Sequence, residues 1–131
     1  MTTRATCTFE ITAWEAVEYD DLDSVKLTRT HVAKTFQGDL EGQSTAELLM
    51  AGAPGGSAVY VGLERIVGQL GGRSGSFVFV HDASMSSDGQ SLSLTIMRDS
   101  GTGELQDIGG QGNIIINADG GHTLTLDYNL T

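Results

Sequence analysis

The most informative segment of this chain is AVYVGLERIVGQLGGRSGSFVFVHDAS, which spans residues 58–84. Two apolar runs, residues 58–70 and 74–84, lie on either side of Gly71 and Gly72. Two consecutive glycines supply the positive φ angles that a two-residue hairpin turn requires. The segment therefore predicts two antiparallel strands joined by a tight turn.

Alternation with a period of two, the signature of half-buried strands, dominates the rest of the chain. Apolar residues occupy every second position from Ala5 to Ala13, which predicts the first strand. No segment has a convincing helix of three turns, because the best candidate, Thr45 to Met50, is short. Further strands are predicted at 25–36, 39–50, 91–98, 113–117 and 123–130, and loops or turns at 15–24, 51–56, 109–110 and 119–121.

The composition favours a barrel among the all-β folds. Of 131 residues, 39% are hydrophobic, 18 are glycine and one is proline, which predicts a single all-β domain over residues 1–131. Glycines at or beside strands, such as Gly62, Gly68 and Gly112, let a sheet bend, and closure removes its exposed edges. We therefore predict one antiparallel β-barrel of about eight strands with a central apolar pocket, rather than an open sandwich.

The charge and the targeting signals limit the partners and the compartment. A formal net charge of −10 makes contact with nucleic acid or with an anionic membrane surface unfavourable. The residues after Met1 lack the apolar run of a secretory signal, and no apolar window approaches the length of about 18 residues that spans a membrane. The lone Cys7 cannot form an internal disulfide. We expect a cytoplasmic protein with neither kind of partner.

Several blocks of the sequence resemble a known bacterial family of small stand-alone proteins of uncharacterised function. These blocks are YVGLER at 60–65, GQLGGRSGSF at 68–77, SGTGEL at 100–105, TFEITAW at 8–14 and LTLDY at 124–128. The family is grouped structurally with allene oxide cyclase and the plant dirigent proteins. The resemblance implies an eight-stranded antiparallel barrel with a cavity, commonly in a homo-oligomer, but it implies no activity, since a shared fold does not transfer a function.

Signatures of the common cofactor and metal sites do not occur in the chain. No lysine follows the glycines of a phosphate-binding loop, and the segment 72–75 is one residue short of a nucleophile elbow. His31, His81 and His122 lie far apart in sequence, without a second ligand nearby. We therefore predict neither a cofactor nor a metal.

The candidate site residues share one face of the hairpin strands. Glycines 62 and 68 indicate a crowded inner wall, so Tyr60 and Glu64, which have the same parity, are expected inside the barrel. Pairing across the glycine turn would bring His81 and two phenylalanines of the next strand close to them. The predicted catalytic residues are Glu64, Tyr60 and His81, and the predicted substrate-binding residues are Trp14, Phe77, Phe79 and Glu47.

A carboxylate, a phenol and an imidazole in one pocket suit proton transfer, epoxide opening or cyclisation. Burial is expected to raise the pKa of Glu64 towards neutrality, while Tyr60 can donate a hydrogen bond to a developing oxyanion. The alternatives are equally concrete. Glu64 can pair with a surface arginine, His81 can cap a hairpin, Trp14 can pack at the barrel mouth, and Glu47 can be solvated on the polar face of its strand.

The leading hypothesis is a barrel that binds a hydrophobic small molecule and acts as a cofactor-independent isomerase or cyclase. One alternative is a non-catalytic carrier for a hydrophobic ligand, and another is a structural protein whose barrel is filled and has no cavity. A homo-oligomer is expected, and a dimer is favoured because symmetric dimers are the commonest soluble assemblies.

Overall fold

The hairpin at residues 58–84 is present in the computed structural model, which describes residues 2–130. Gly71 and Gly72 form its turn with φ angles of 59° and 82°, the left-handed region that glycine enters without steric cost. The two strands on either side of the turn pair in register from Leu70 with Arg73 onward. The predicted two-residue hairpin is therefore confirmed.

The described chain contains nine antiparallel strands, and eight of them close into a barrel. The strands are β1 (Thr3–Asp20), β2 (Lys26–Gly38), β3 (Leu40–Gly52), β4 (Ala58–Leu70), β5 (Arg73–Ser86), β6 (Gly89–Ile96), β7 (Thr102–Gly103), β8 (Ile108–Ile116) and β9 (His122–Leu130). The barrel order is β1-β2-β3-β4-β5-β6-β8-β9, closed by pairing of β9 with β1, and the short β7 pairs with β5. The predicted all-β fold with an eight-stranded barrel is confirmed.

Helix contributes almost nothing to this part of the chain. Residues 2–130 contain a single 3-10 turn, Leu22–Ser24, and no helix in that range is long and apolar enough to cross a membrane. The short helix candidate at 45–50 lies within β3.

The acidic segment 15–24 was predicted to be a loop, and this prediction is wrong for most of its length. β1 continues to Asp20 and pairs there with Leu27 of β2, so the segment is one strand of a long two-stranded ribbon. A bulge between Ile11 and Ala13 shifts the alternation by one residue. The shift hides the strand from a search for strict alternation, because the inward parity changes at the bulge.

Two glycine-containing segments also differ from the prediction. β3 extends through Ala51 to Gly52, so the predicted loop at 51–56 begins later. Gly109 and Gly110, predicted as a turn, lie inside β8. A Cβ at Gly110 would be 2.1 Å from the carbonyl oxygen of Asp127 on β9, so this glycine permits close approach of two strands.

One end of the barrel is filled by a packed hydrophobic core. Its largest members include two phenylalanines in edge-to-face contact, with ring centroids 5.4 Å apart. Cys7 lies in this core, and burial raises the pKa of its thiol to about 11, which leaves it protonated and unreactive at neutral pH. The core is formed by Ala5, Cys7, Phe9, Phe36, Leu40, Ile66, Leu70, Phe77, Phe79, Leu94, Ile96, Leu105, Ile108, Leu124, Leu126 and Tyr128.

The opposite end of the barrel is open. β9 pairs with β1 only from Thr3 to Phe9, and β6 pairs with β8 at Leu94 and Thr95, as far as the described residues go. Beyond these pairings the neighbouring strands separate, while the β1–β2 ribbon continues past the barrel wall. The interior is therefore accessible from this end, which we call the mouth.

Candidate functional site

A cavity of about 1060 Å³ occupies the mouth. This volume is slightly above the range of roughly 300–1,000 Å³ that is usual for small-molecule sites. Its walls come from the mouth-facing ends of β1 to β6 and β8, and they are mainly apolar, with hydroxyl groups at Thr28, Thr30 and Tyr60. The apolar lining includes Trp14, Met50, Pro54, Met85, Leu92, Ile114 and Ile116. The alternative of a filled barrel without a cavity does not fit this structure.

A series of hydrogen bonds leads from the cavity floor into the barrel. The hydroxyl of Tyr60 lies 3.1 Å from Nδ1 of His81, and Nε2 of His81 lies 2.7 Å from Oε1 of Glu64. Tyr60 lines the cavity, whereas Glu64 is 2% exposed and His81 is 3% exposed, and neither lines it. The structure thus brings the three predicted catalytic side chains together, but it presents only the phenol to the cavity.

The local sequence explains this arrangement. Tyr60, Gly62 and Glu64 are alternate residues of β4 and face inward, and Gly62 pairs with His81 across the ladder. Because position 62 has no side chain, the imidazole has Tyr60 and Glu64 as its two diagonal neighbours on the same face. A Cβ at position 62 would also be 2.8 Å from the carbonyl oxygen of Glu47.

Glu64 is surrounded by hydrogen-bond donors. Oε2 accepts a hydrogen bond of 2.5 Å from the hydroxyl of Ser44, and Oε1 lies 3.3 Å from Nζ of Lys34. Burial raises the pKa of Glu64, but the hydrogen bond with His81, the charge of Lys34 and the hydrogen bond from Ser44 together hold it below the ordinary value of 4.5. The expected rise in this pKa is therefore wrong, because a buried carboxylate with three donors is more stable when ionised.

The phenol of Tyr60 is affected in the opposite direction. Burial raises its pKa above the ordinary value of 10.0, and the negative charge of Glu64 raises it further. Tyr60 is therefore protonated at neutral pH and acts as a hydrogen-bond donor in its resting state.

The surface-arginine alternative for Glu64 and the hairpin-cap alternative for His81 are both wrong, since both side chains are buried in this network.

The predicted substrate-binding residues separate into three groups. Trp14 lines the cavity, because the bulge in β1 turns its side chain towards the interior. It is 53% exposed, since the cavity is open to solvent. Phe77 and Phe79 do not line the cavity; they pack in the core below it, and Phe79 meets His81 edge-to-face at 6.4 Å. The prediction that these two rings form the pocket wall is wrong.

Glu47 lies on the outer surface of the barrel, so its assignment to the pocket is also wrong. Its carboxylate is hydrogen-bonded to Nδ1 of His31 and accepts a hydrogen bond of 3.1 Å from Nε of Arg29. The hydrogen bond with His31 is the main cause that lowers the pKa of Glu47. The residue is part of an exposed ion pair on β2 and β3, as the solvated alternative anticipated.

Sequence reasoning missed Lys34 and Ser44, the residues that keep Glu64 ionised. Both are buried, and Nζ of Lys34 also lies 4.6 Å from the centroid of the Phe9 ring. A signal was available, because Lys34 has the parity of Val32 and Phe36 on the apolar face of its strand. A lysine at such a position requires a buried partner of opposite charge.

Among residues 2–130, no three His, Cys, Asp or Glu side chains are grouped as a metal site would require.

These features define a small closed β-barrel protein with a solvent-open cavity and a buried acid–base network beneath its floor. The chain belongs to DUF3224, a family of proteins of unknown function, whose family model matches residues 5–128. It is similar to a DUF3224 protein of unknown function from Shewanella oneidensis MR-1, whose crystal structure was determined at 1.84 Å resolution. The two share 34% identity and a TM-score of 0.88 over 100% of this chain and 99% of that chain.

No curated protein gave a significant match to this chain. The family finding confirms the predicted resemblance to an uncharacterised bacterial family. The wider grouping with allene oxide cyclase and the dirigent proteins stays a prediction from the sequence.

Proposed function

We propose that this protein binds an apolar small molecule at the barrel mouth and moves a proton on it through Tyr60, as an isomerase or cyclase without a cofactor. The observation that supports this most directly is the position of the Tyr60 hydroxyl. It lies on the floor of an apolar cavity and is hydrogen-bonded to a buried histidine, which is hydrogen-bonded to a buried carboxylate.

We infer the resting protonation states from the hydrogen bonds and take His81 as a neutral imidazole. Glu64 is ionised and accepts hydrogen bonds, so Nε2 of His81 carries a proton and donates it to Oε1. In the neutral imidazole Nδ1 is then an acceptor, and the hydroxyl of Tyr60 donates to it. The order of hydroxyl, imidazole and carboxylate is that of a hydrolase triad, with a phenol in the position of the nucleophile.

This order allows the floor to take up and return a proton. When the Tyr60 oxygen accepts a proton from a bound molecule, its own proton passes to Nδ1 of His81, and Glu64 stabilises the resulting imidazolium. Return of the proton to another atom of the same molecule completes an isomerisation and restores the resting state. The sequence of steps neither adds nor removes atoms or electrons, so it requires no cofactor.

The lining limits the class of molecule. Lys26 is the one side chain with a full charge at neutral pH among the residues that line the described cavity, and its Nζ is 3.9 Å from Glu18 at the rim. The 17 acidic residues of the chain contribute none of the lining. An apolar molecule that carries an acceptor or a negative charge at the rim end would therefore fit better than a cation.

The second candidate function is that of a non-catalytic carrier, which the width of the mouth favours. The cavity is open to solvent, and no segment of residues 2–130 covers it, whereas proton-transfer sites usually exclude water. A carrier would release the same molecule that it bound.

The deciding experiment begins with native mass spectrometry of protein purified from its source, which identifies a bound molecule. That molecule is then incubated with the protein in deuterium oxide. We expect deuterium incorporation or a rearranged product with the wild type, a decrease of roughly 10²–10⁴-fold with Tyr60→Phe, and a lower rate with Glu64→Gln. The control Tyr19→Phe, which alters an exposed phenol on the ribbon, should leave the rate unchanged.

The outcome separates the two candidates. Tight binding without exchange or rearrangement in the wild type would establish the carrier and reject the enzyme. A rate that is unchanged by both Tyr60→Phe and Glu64→Gln would reject the proposed relay even if turnover occurs.

A further inference from the structure

The outer face of β4 is apolar, although it is exposed to solvent. Val61, Leu63 and Val67 point away from the interior, and each is 50–58% exposed. The inner face of the same strand is also largely apolar. A strand with one solvated face usually alternates between apolar and polar residues, whereas one that is covered on both sides reads as a continuous apolar run. The sequence of β4 is therefore that of a strand with a second covered face.

The neighbouring strands enlarge this surface. Leu49 of β3 pairs with Val61, and Val80 of β5 pairs with Leu63, and both are exposed. Scattered exposed apolar residues are ordinary, but a contiguous group on three adjacent strands marks an interaction surface. We call this group the β4 face; it consists of Leu49, Val61, Leu63, Val67 and Val80.

We propose that the β4 face binds a second copy of this chain in a two-fold symmetric dimer centred on Leu63. Charge complementarity identifies the occupant. Arg65 lies two residues to one side of Leu63 on the same face of β4, and Asp82, which pairs with Val61, lies two residue pairs to the other side of the Leu63–Val80 pair. Arg65 and Asp82 thus flank the β4 face with opposite charges on opposite sides of its centre.

A two-fold axis that crosses the strands at Leu63 exchanges these positions. It lays β4 antiparallel over its copy. It places Arg65 of each subunit above the partner subunit's Val61 and beside the partner subunit's Asp82. Neither Arg65 nor Asp82 has a salt-bridge partner within residues 2–130 of its own chain. The symmetric arrangement supplies both partners, as an isologous interface requires.

The remaining charge near the centre does not oppose this arrangement. Glu47 pairs with Leu63 across the ladder, but Arg29 and His31 are hydrogen-bonded to its carboxylate within the same chain. The apolar centre with two flanking ion pairs matches the usual anatomy of a protein interface, with a hydrophobic core and a polar rim.

The first test measures molar mass by light scattering after size exclusion, at micromolar concentrations. The wild type should be a dimer, and Leu63→Asp should be a monomer with an unchanged circular dichroism spectrum. The matched control is Ile115→Asp on the outer face of β8, where the isoleucine is 50% exposed, and this variant should remain a dimer. A monomeric wild type, or a dimer that Leu63→Asp leaves intact, would overturn the proposal.

The second test examines the symmetry through charge exchange. Arg65→Glu alone and Asp82→Arg alone should each weaken the dimer by roughly tenfold or more in dissociation constant, because each places like charges side by side. The double variant Arg65→Glu with Asp82→Arg should regain the wild-type constant. Single variants that leave the constant unchanged, or a double variant that stays as weak as the single variants, would exclude the two-fold pairing.

Discussion

The hydroxyl of Tyr60 lies 3.1 Å from Nδ1 of His81, which joins a solvent-facing phenol to a histidine that solvent does not reach. The contact crosses from β4 to β5 and depends on the absent side chain at Gly62, the cross-strand partner of the histidine. Through it the cavity floor is coupled to the ionised carboxylate of Glu64. A group placed in this way changes its acidity and its hydrogen-bonding direction with the state of the buried pair behind it.

One prediction concerns the titration of Tyr60. Since burial and the charge of Glu64 raise its pKa above 10.0, one of the three phenols should ionise at a higher pH than an ordinary tyrosine. Ultraviolet absorbance during an alkaline titration measures this step. Tyr60→Phe should remove it, whereas Tyr19→Phe should retain it. A titration in which Tyr60→Phe retains the high-pH step would contradict the assignment.

A second prediction concerns the acid stability that Glu64 provides. Its folded-state pKa is below the ordinary value of 4.5, so the ionised carboxylate stabilises the folded state above about pH 4.5, and this contribution is lost as the pH falls through the folded-state pKa. At neutral pH, Glu64→Gln should lower the free energy of unfolding by about 3–5 kcal/mol, because it leaves Lys34 buried without its counter-charge. The difference from wild type should shrink below pH 4.5.

Urea unfolding at several pH values measures this difference. The control is Glu47→Gln, which removes an exposed carboxylate from the outer face and should change stability little at any pH. A loss for Glu64→Gln that stays constant from neutral to strongly acidic pH would show that the carboxylate is not the source of the effect.

A third prediction concerns Lys34. If the cost of Glu64→Gln comes from an uncompensated buried ammonium, then adding Lys34→Met should remove that charge and recover part of the lost stability. The double variant should therefore unfold at a higher urea concentration than Glu64→Gln alone. Simple addition of two separate losses in this double-mutant cycle would mean that the two groups do not interact.

A fourth prediction concerns Gly68, at which β4 approaches β3. A Cβ there would lie 2.0 Å from the carbonyl oxygen of Glu41, and this backbone cannot move without disturbing the ladder. Gly68→Ala should lower the free energy of unfolding by about 1–3 kcal/mol. Gly55→Ala is the control, because a Cβ there meets nothing within 4 Å. Equal stability of the two variants in urea would show that the close approach of β4 to β3 does not require a glycine at position 68.

A fifth prediction concerns cavity binding. Trp14 is the only tryptophan and lines the cavity, so its fluorescence should be quenched by an apolar dye such as phenylnaphthylamine or its anionic relative anilinonaphthalene sulfonate. Lys26→Met should weaken the anionic dye by up to roughly fivefold and leave the neutral dye unchanged. Leu22→Ala, outside the cavity, should affect neither dye. Equal effects of Lys26→Met on both dyes would show that the charge of Lys26 does not favour an anionic ligand.

The sequence was sufficient for the fold because the evidence for it is local. Alternation sets which residues of a strand share a face, and the paired glycines at 71 and 72 set a turn whose geometry few other residues adopt. With those two facts, Tyr60, Glu64 and His81 could be placed on one face before any tertiary structure was known. The same reasoning failed at residues 15–24, because the bulge after Ile11 shifts the parity and only the pairing with β2 reveals the strand.

The sequence by itself thus indicated an antiparallel barrel and the residues of the β4–β5 hairpin that share its inner face. Only the tertiary structure decided how deep each inner residue lies, and depth separates Tyr60, which reaches the cavity, from Phe77 and Phe79, which pack below it. It also decided the charge of Glu64, because Lys34 and Ser44 arrive from strands that are distant in sequence. Periodicity specifies a side of a strand, whereas burial depth and electrostatic environment depend on every strand that closes around it.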